Sequence, residues 1–409
     1  MLVTTPVHLT KAVLATVILV SAIAPLATDM YVPAFPQVGS DLVGTATQVQ
    51  LTLTTFFIGM ALGQLVGGPV SDARGRRGPL VLALVVLTGA SIACAFSPSI
   101  TTMMIARFVQ GLSGGWAMVT ARAVIVDLTR GPQLVRSLNL VAGVGGIAPI
   151  VGPLIGAVIL QFSQWRVSFW VVAALGAAMI LAVALGMPES LPADRRHVGG
   201  LAELGRATRQ VIGRRGFIGH LVVMALSMGV TFAYVATSAF ILQSMNGLSP
   251  IWYSIDFAAN AVGLALATLL AARLAGRVPT PTVIAVGLSV TGAAGLLLLV
   301  GALWWGTPLI VAVVAFFLLM SAQGLVGPNA GALASAQVPE HPGTGSAVLG
   351  FSQWCMAGLV APIAGLGGEH SAVPMALVIL VLVGVSVAPL FGPTRGEPRP
   401  ALDPVLVAR

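Results

Sequence analysis

The feature that most constrains this chain is a series of apolar stretches that recur along nearly its whole length. A helix needs about 20 apolar residues to cross the roughly 30 Å hydrocarbon core of a bilayer, and most of these stretches are that long. Of the 409 residues, 57% are hydrophobic and only 8% are charged, whereas soluble domains carry roughly 25% charged residues. The chain is therefore predicted to be an all-α membrane protein.

The apolar stretches divide into twelve predicted transmembrane helices separated by short polar breaks. The first helix is predicted to be part of the mature protein, and no cleavage is expected, because it is longer than the core of a signal peptide. A longer hydrophilic segment, interpreted as a cytoplasmic linker, divides the helices six and six. The predicted domains are an N-terminal six-helix bundle, the linker, a C-terminal six-helix bundle and a cytoplasmic tail, at residues 1–187, 188–216, 217–394 and 395–409. The spans are predicted at 10–36, 46–71, 78–97, 101–127, 135–162, 167–187, 217–244, 249–274, 280–304, 307–333, 343–367 and 371–392.

The basic residues indicate how the chain is oriented in the membrane. With a cytoplasmic N-terminus, seventeen of the twenty lie on the cytoplasmic side, Arg166 lies in an outer loop, and Arg107 and Arg122 lie within the fourth span. Because basic residues accumulate in cytoplasmic loops, both termini are predicted to be cytoplasmic. The net charge of +8 is then explained by loops at an anionic lipid surface, and no nucleic-acid partner is predicted.

Several classes of function are excluded by the residue content. Lys11 is the only lysine, so the Gly-Lys-Ser/Thr core of an ATP-binding phosphate loop cannot form. The two cysteines and five histidines are scattered without metal-ligand spacing, and no acid pair or nucleophile cluster is predicted at mid-membrane. The sequence predicts neither an enzyme nor a metal or cofactor site.

Charged residues inside a membrane are costly and therefore need a reason. Asp29 lies eighteen residues beyond Lys11 in the first span, and Pro33 is expected to break the helix just after it. Asp29 either handles a proton or substrate at a central cavity, or caps the helix near the outer surface. Arg107 lies in the fourth span, where it either pairs with Asp29 and biases its proton affinity or donates to backbone carbonyls.

Two further charged residues lie within predicted spans. Arg122 is fifteen residues beyond Arg107, near the inner interface, and either takes part in proton coupling or extends its charge to the membrane surface. Asp256 follows Trp252 and Tyr253 in the eighth span and is either a second proton site or an exposed residue at a helix start. The sequence favours the exposed position, and the role of Asp256 stays open.

A charged cluster follows the second span. Asp72 is followed by Arg74, Arg76 and Arg77, and Asp127 ends the fourth span. These residues either lock a gate at the inner face through ion pairs or form a solvated turn. The first interpretation is favoured by a resemblance to a known family.

The segment Gly68–Arg77 resembles the loop motif of the major facilitator superfamily, with Ala73 where arginine is usual. The segment Arg107–Gly111, which reads Arg-Phe-Val-Gln-Gly, matches the fourth-helix motif of the proton-coupled members. This resemblance implies that Arg107 is the proton-relay arginine. The predicted fifth helix resembles the family's antiporter motif. The matching residues are Gly145, Pro149, Gly152, Pro153 and Gly156, and Ala157 replaces the last glycine of the motif.

Two more segments, 28–34 and 329–347, resemble the bicyclomycin and chloramphenicol resistance (Bcr/CflA) subfamily. By this likeness Asp29 matches the membrane-embedded acid of the first helix, and the segment Arg122–Asp127 matches an Arg-x-x-x-x-Asp ending. The resemblance implies twelve helices in two pseudo-symmetric six-helix bundles. It also implies proton-driven export of small drug-like molecules across the bacterial inner membrane.

The expected mechanism is alternating access of a midplane cavity, in which proton and drug exclude one another. The alternative to drug export is the import or export of an endogenous metabolite. A channel is a further possible function. A monomer is expected.

Four tryptophans lie near helix ends and suit the aromatic belt at the membrane interface: Trp165, Trp252, Trp304 and Trp305. The residues expected to bind substrate, unless they only pack, are Tyr31, Phe57, Trp116, Tyr234, Asn260, Gln323 and Trp354.

Overall fold

The chain is a bundle of long helices in the computed structural model, which describes residues 9–193, 196, 201–340 and 342–391. No strand occurs within these residues. Fourteen α-helices are described: α1 (Lys11–Asp29), α2 (Phe35–Asp41), α3 (Ala46–Arg74), α4 (Arg77–Ala95), α5 (Ile100–Leu128), α6 (Gly131–Phe162), α7 (Arg166–Gly186), α8 (Leu201–Ile212), α9 (Arg215–Ala239), α10 (Pro250–Leu274), α11 (Thr280–Trp305), α12 (Leu309–Ala336), α13 (Pro342–Ala364) and α14 (Val373–Phe391).

These helices form twelve membrane crossings within the described residues. The first crossing is α1 and α2, joined by a 3-10 turn at Val32–Ala34, and α9 is extended by a π-helix at Phe240–Met245. Nine crossings are long and apolar enough to span a bilayer by composition, and α6 and α14 contain shorter apolar stretches. The remaining crossing, α5, has the length of a span but carries Arg107 and Arg122. The twelve spans predicted from the sequence are confirmed, with boundaries that differ by a few residues.

Polar residues at helix starts explain several of the boundaries. Thr10 accepts a hydrogen bond from the backbone of Val13 at the start of α1. Thr45 and Ser99 form capping boxes at the starts of α3 and α5. Such caps satisfy backbone N–H groups that have no partner within the helix. The polar breaks between apolar runs therefore direct the chain to turn at these points.

The helices pack as two six-helix bundles with matching arrangements. In the first bundle α1 packs on α5, α6 and α7, α3 packs on α5, and α4 packs on α5 and α7. The second bundle repeats this pattern, since α9 packs on α12, α13 and α14, α10 packs on α12, and α11 packs on α12 and α14. The bundles meet along α3 with α13 and α6 with α10. Helix α8 lies between them in sequence and packs on α9 and α13.

The two ends of the bundle differ in how the halves meet. We call the end where α1 begins at Lys11 and α14 ends at Phe391 the terminal face, and the opposite end, where α2 ends at Asp41, the distal face. Near the distal face, Gln50 Nε2 donates to the carbonyl of Ala236 at 3.0 Å, and Gln243 Nε2 donates to that of Pro33 at 3.1 Å. Within the described residues, the hydrogen bonds between bundles lie on the distal side, so the structure is sealed there.

The outer surface of the bundle is apolar, as a lipid environment requires. Leu185, Leu266 and Ile310 are examples of large hydrophobic side chains that are more than half exposed. Water-soluble proteins rarely expose contiguous apolar surface of this extent. The chain is a multi-pass membrane protein.

The tryptophans near helix ends do not all lie at the surface. Trp252, Trp304 and Trp305 are exposed, as expected for an interfacial belt. Trp165 differs from the prediction, because it is buried and its Nε1 donates to Asp41 at 2.9 Å. Its polar partner lies within the protein, so the side chain has no need of the membrane interface.

Candidate functional site

Asp29 lies at the broken end of the first membrane helix. Helix α1 ends at this residue, and Asp29 as a whole is 7% exposed. Among the described residues, no group donates a hydrogen bond to the carboxylate and no basic side chain pairs with it. Its hydrogen bonds are therefore left to water or to a bound proton.

The fifth-helix motif positions this carboxyl group. A Cβ atom at Gly152 would lie 2.6 Å from the Cβ of Asp29, and one at Gly156 would collide with the carbonyl of Met30. Only glycine permits α6 to approach the end of α1 so closely. Pro149 is half-buried and Pro153 is buried in the same helix. Gly145 lies one turn before Pro149, at a position whose surroundings are outside the described side chains.

Arg107 is fully buried in a cage of aromatic rings. Its guanidinium carbon lies 4.2 Å from the ring centroid of Phe56, 5.0 Å from that of Tyr31 and 5.7 Å from that of Phe169. Rings at these distances attract a cation through their quadrupoles. None of these contacts was expected from the sequence, because the rings come from α3, from α7 and from the break after α1.

The hydrogen bonds of Arg107 leave part of its guanidinium unsatisfied. Nη1 donates to Gln110 Oε1 at 2.7 Å and to the carbonyl of Ala27 at 3.2 Å, while Nε and Nη2 are buried without a partner in the described structure. Gln110 in turn donates to Ser91 at 2.8 Å. Arg107 therefore does not pair with Asp29 here but contacts the backbone two residues before it.

The charged cluster near the terminal face is brought together around Arg76. Its Nη1 donates to Asp72 at 2.6 Å and to Ser71 at 2.7 Å, and its Nε donates to Asp127 at 2.9 Å. Burial opposes the charge of Arg76, but the hydrogen bonds and charges of Asp127 and Asp72 outweigh it and raise the pKa of the guanidinium. The network joins the α3–α4 turn to the end of α5.

Sequence reasoning missed Glu189, which follows α7 and completes this cluster. Its carboxylate accepts from the backbone N–H of Arg76 at 2.7 Å and of Arg77 at 3.2 Å, at the start of α4. A carboxylate at a helix N-terminus is stabilised by the unpaired N–H groups and the helix dipole. The side chain of Arg77 reaches the carbonyl of Ala184, while Arg74 is exposed and joins none of these contacts.

Arg122 lies apart from both clusters. It is exposed on α5, on the terminal side of the bundle, and has no hydrogen bond or ion pair within the described residues. The structure therefore does not bring it into contact with Arg107 or Asp29.

The aromatic residues predicted to bind substrate do not form a single cluster. Phe57 stacks on Trp354 with centroids 5.5 Å apart and meets Phe232 edge-on at 4.4 Å, so three rings join the two bundles. The hydroxyl of Tyr31 lies 3.0 Å from Thr52 within the first bundle. Trp116 packs on Gly67 of α3, and its Nε1 is buried without a partner among the described residues.

A cavity of about 310 Å³ lies in the second bundle, toward the terminal face. Gln323 lines it and is held in place by Ser227, which donates to Oε1 at 2.6 Å, and by Thr291, which accepts from Nε2 at 2.9 Å. No lining residue is charged, and the lining is completed by Met224, Met228, Thr231, Leu264, Gly327, Pro328, Gly331 and Gln353. Such a mixture of methionines and amides suits neutral amphiphilic molecules.

The two other predicted contacts, Tyr234 and Asn260, belong to a separate cluster near the distal face. Asn260 Nδ2 donates to the hydroxyl of Tyr234 and to the carboxylate of Asp256, both at 2.9 Å. Asp256 is half-buried, whereas the sequence favoured an exposed helix start. The difference arises because α6 and α12 pack on α10 and Tyr234 of α9 contacts Asn260 beside Asp256.

Comparisons with known proteins agree with this architecture. The family model of the Major Facilitator Superfamily matches residues 17–362. The chain is 31% identical over 379 residues to "Uncharacterized MFS-type transporter YdgK" of Bacillus subtilis, covering 92% of this chain and 94% of that protein. It is 28% identical over 375 residues to "Bicyclomycin resistance protein homolog" of Haemophilus influenzae, covering 90% and 92% of the two chains.

A solved structure shows the same fold at low sequence identity. The crystal structure of D-xylose-proton symporter superposes with a TM-score of 0.72 at 14% identity, covering 92% of this chain and 96% of that one. This likeness shows the fold alone.

Proposed function

We propose that this chain, which belongs to the Major Facilitator Superfamily, exports small drug-like molecules across the bacterial cytoplasmic membrane in exchange for protons. The family establishes that it is a membrane transporter and not an enzyme. Drug export is supported by the relative named for bicyclomycin resistance and by the resemblance of its motifs to those of drug:proton antiporters. Proton coupling is supported chiefly by the surroundings of Asp29.

The observation that carries the proposal is the unpaired carboxyl group of Asp29, buried at a helix break against Gly152. Because no basic side chain neutralises it within the described residues, a proton is the simplest way to remove its charge. Arg107 contacts the carbonyl of Ala27 two residues away, so protonation of Asp29 changes the electrostatic field that acts on a fixed cation. The α1 segment therefore couples the protonation of Asp29 to the environment of Arg107.

Substrate enters on the terminal side in this proposal. The uncharged cavity next to Gln323 lies toward the terminal face, and the bundles are sealed by hydrogen bonds toward the distal face. Because seventeen of the twenty basic residues fall on the terminal side in the predicted topology, this face is assigned to the cytoplasm. Rocking of the two bundles then opens the distal face, where substrate leaves and a proton reaches Asp29.

The proton gradient supplies enough free energy for this exchange. One proton crossing about 100 mV releases about 2.3 kcal/mol, which sustains about a fortyfold gradient of a neutral substrate at about 1.4 kcal/mol per decade. The cavity and Asp29 lie within one chain, so a monomer suffices for the cycle.

The test is a drug-susceptibility panel in a bacterium that lacks its own pumps. Wild type should protect against some neutral antibiotics, and the panel includes chloramphenicol and bicyclomycin. The protection given by Asp29→Asn should be at least tenfold weaker, although the variant reaches the membrane in equal amount. Asp41→Asn is the matched control, because Asp41 forms an ion pair with Arg166 at the distal face and should protect like wild type.

Two outcomes would contradict the proposal. Equal protection by Asp29→Asn and wild type would remove Asp29 from proton coupling. Uptake of labelled solute driven by an inward proton gradient, with no protection against any drug, would favour the importer alternative.

A further inference from the structure

A second carboxyl group lies at the same depth as Asp29, on the other side of the interface between bundles. Asp29 packs on Gly152 of α6, and the next residue, Pro153, accepts a hydrogen bond at 2.9 Å from Ser254 of α10. Ser254 is two residues before Asp256 in the same helix. Asp256 therefore lies within one helical turn of a contact between α6 and α10 on the distal side, and Asp29 packs against the α6 side of that contact.

The surroundings of Asp256 provide a hydrogen-bonding partner but no cation. Its Oδ2 accepts from Asn260 Nδ2 at 2.9 Å. Among the described elements that contact α10, α12, the 3-10 turn at Val32–Ala34 and the π-helix at Phe240–Met245 contain no charged residue. Arg136 of α6 and Arg215 and His220 of α9 lie toward the terminal face. Tyr234 and Tyr253 are the titratable neighbours on the second bundle, and Asp29 is the acid across the interface.

Asn260 is arranged to respond to the charge of Asp256. It is 1% exposed, its Nδ2 contacts both Asp256 and the hydroxyl of Tyr234, and its Oδ1 is buried without a partner in the described structure. When Asp256 is ionised, the amide nitrogen must face the carboxylate. When Asp256 is protonated, rotation of the amide by a half turn lets the oxygen accept from both the carboxyl and the tyrosine hydroxyl. Asn260 can therefore form a hydrogen bond with Asp256 whether its carboxyl group is ionised or protonated.

We propose that Asp256 is a second proton-carrying site, held by Asn260, so that two protons enter for each molecule exported. In each cycle the carboxylate takes one proton from water when the distal face opens and returns it to water when the terminal face opens. No bond to the substrate forms, and the transferred proton is the only change in the site. This inference rests on the proposed exchange of drug for protons and adds its stoichiometry.

The first test measures the number of protons per substrate in proteoliposomes with radiolabelled chloramphenicol, a neutral probe. The logarithm of the steady drug gradient should rise with the imposed proton-motive force at twice the slope expected for one proton. At about 100 mV this corresponds to a gradient on the order of two thousandfold in place of about fortyfold. Asp256→Asn should still transport, but with the slope halved, and Asp256→Glu should keep the wild-type slope.

An unchanged slope in an active Asp256→Asn protein overturns the inference and leaves drug export intact. Absence of proton-driven chloramphenicol accumulation by wild type would instead count against the proposed function with this probe. The Asp41→Asn variant controls for loss of an acid elsewhere on the distal side and should keep the full slope.

A second test needs neither transport nor drug. Infrared difference spectra of the purified protein, recorded between mildly acidic and mildly alkaline pH, should contain the carbonyl bands of two buried carboxyl groups. Asp29→Asn and Asp256→Asn should each lose a different band, and Asn260→Leu should shift the band of Asp256 because its amide partner is gone. Retention of every wild-type band in Asp256→Asn would overturn the inference even if that variant does not transport.

Discussion

At the scale of single residues, glycines decide how closely α3 and α5 approach. A Cβ at Gly111 would collide with the carbonyl of Phe56, and one at Gly115 would collide with that of Met60. On the other helix, a Cβ at Gly63 would collide with the carbonyl of Leu112. Small residues of this kind allow membrane helices to pack backbone against backbone. This seam places Arg107, one turn before Gly111, among its aromatic rings.

Gly111→Ala should therefore destabilise the first bundle. The added methyl group has no free space, and overpacking of this kind costs about 1–3 kcal/mol. The thermal unfolding temperature of the purified protein in detergent should fall, and drug protection should fall with it. Gly89→Ala is the matched control, because a Cβ there meets nothing within 4 Å, and it should unfold at or above the wild-type temperature. Equal unfolding temperatures for Gly111→Ala and wild type would show that the seam can widen without cost.

The sequence indicated candidate functional residues more readily than it indicated which residues contact one another. Asp29 and Arg107 were singled out because a charge in a membrane span is costly, but the aromatic cage of Arg107 depends on contacts across several helices. Glu189 was missed because it lies in a hydrophilic segment where an acid is ordinary, and its partners Arg76 and Arg77 are more than a hundred residues away. Asp256 was correctly assigned to the eighth span, but its burial was not predicted because it depends on residues outside α10.

At the scale of secondary-structure elements, the Arg76 network fixes the ends of three helices. Arg76 joins the α3–α4 turn to Asp127 on α5, and Glu189 joins the start of α4 to the chain after α7. The helices belong to the first bundle, and Glu189 lies at the start of the segment that follows it. In this state, therefore, the described contacts of the cluster hold one bundle together and do not bridge to the other.

Arg76→Gln should lower the unfolding temperature, because it leaves Asp127 partly buried without its cation. Removal of one partner from a buried pair costs about 3–5 kcal/mol, and the partial exposure of Asp72 and Asp127 places the expected loss at or below the lower end of that range. The measurement is thermal unfolding in detergent. Arg74→Gln removes the same charge from an exposed side chain outside the cluster and should leave the unfolding temperature unchanged. If both variants lose the same stability, net charge and not the network is responsible.

At the scale of the whole molecule, the fold was more predictable than the site. Each span needs only enough apolar residues to cross the bilayer, a local property that composition reveals, and the polar breaks limit where helices can end. The pairing of bundles is not local. The hydrogen bonds from Gln50 to Ala236 and from Ser254 to Pro153 join residues about a hundred or more positions apart, and they define which face is closed.

Because the distal seal joins the two bundles, transport by alternating access requires these contacts to separate. Thr47 Oγ1 donates to the carbonyl of Gly365 at 3.3 Å, so α3 and the end of the α13 crossing are in contact near the distal face. In a background with Cys94→Ala and Cys355→Ala, we expect a short reducible crosslinker to join Thr47→Cys to Leu366→Cys. Crosslinking should reduce chloramphenicol transport in proteoliposomes at least tenfold, and reduction should restore it.

The controls separate a locked gate from damage by the reagent. Each single cysteine variant, treated in the same way, should transport normally. The pair Asp41→Cys and Arg166→Cys is also joined near the distal face, but both positions lie within the first bundle, so its crosslink should leave transport intact. Full transport by the crosslinked Thr47–Leu366 protein would mean that substrate leaves without separation of α3 from α13, and rocking of two rigid bundles would have to be abandoned.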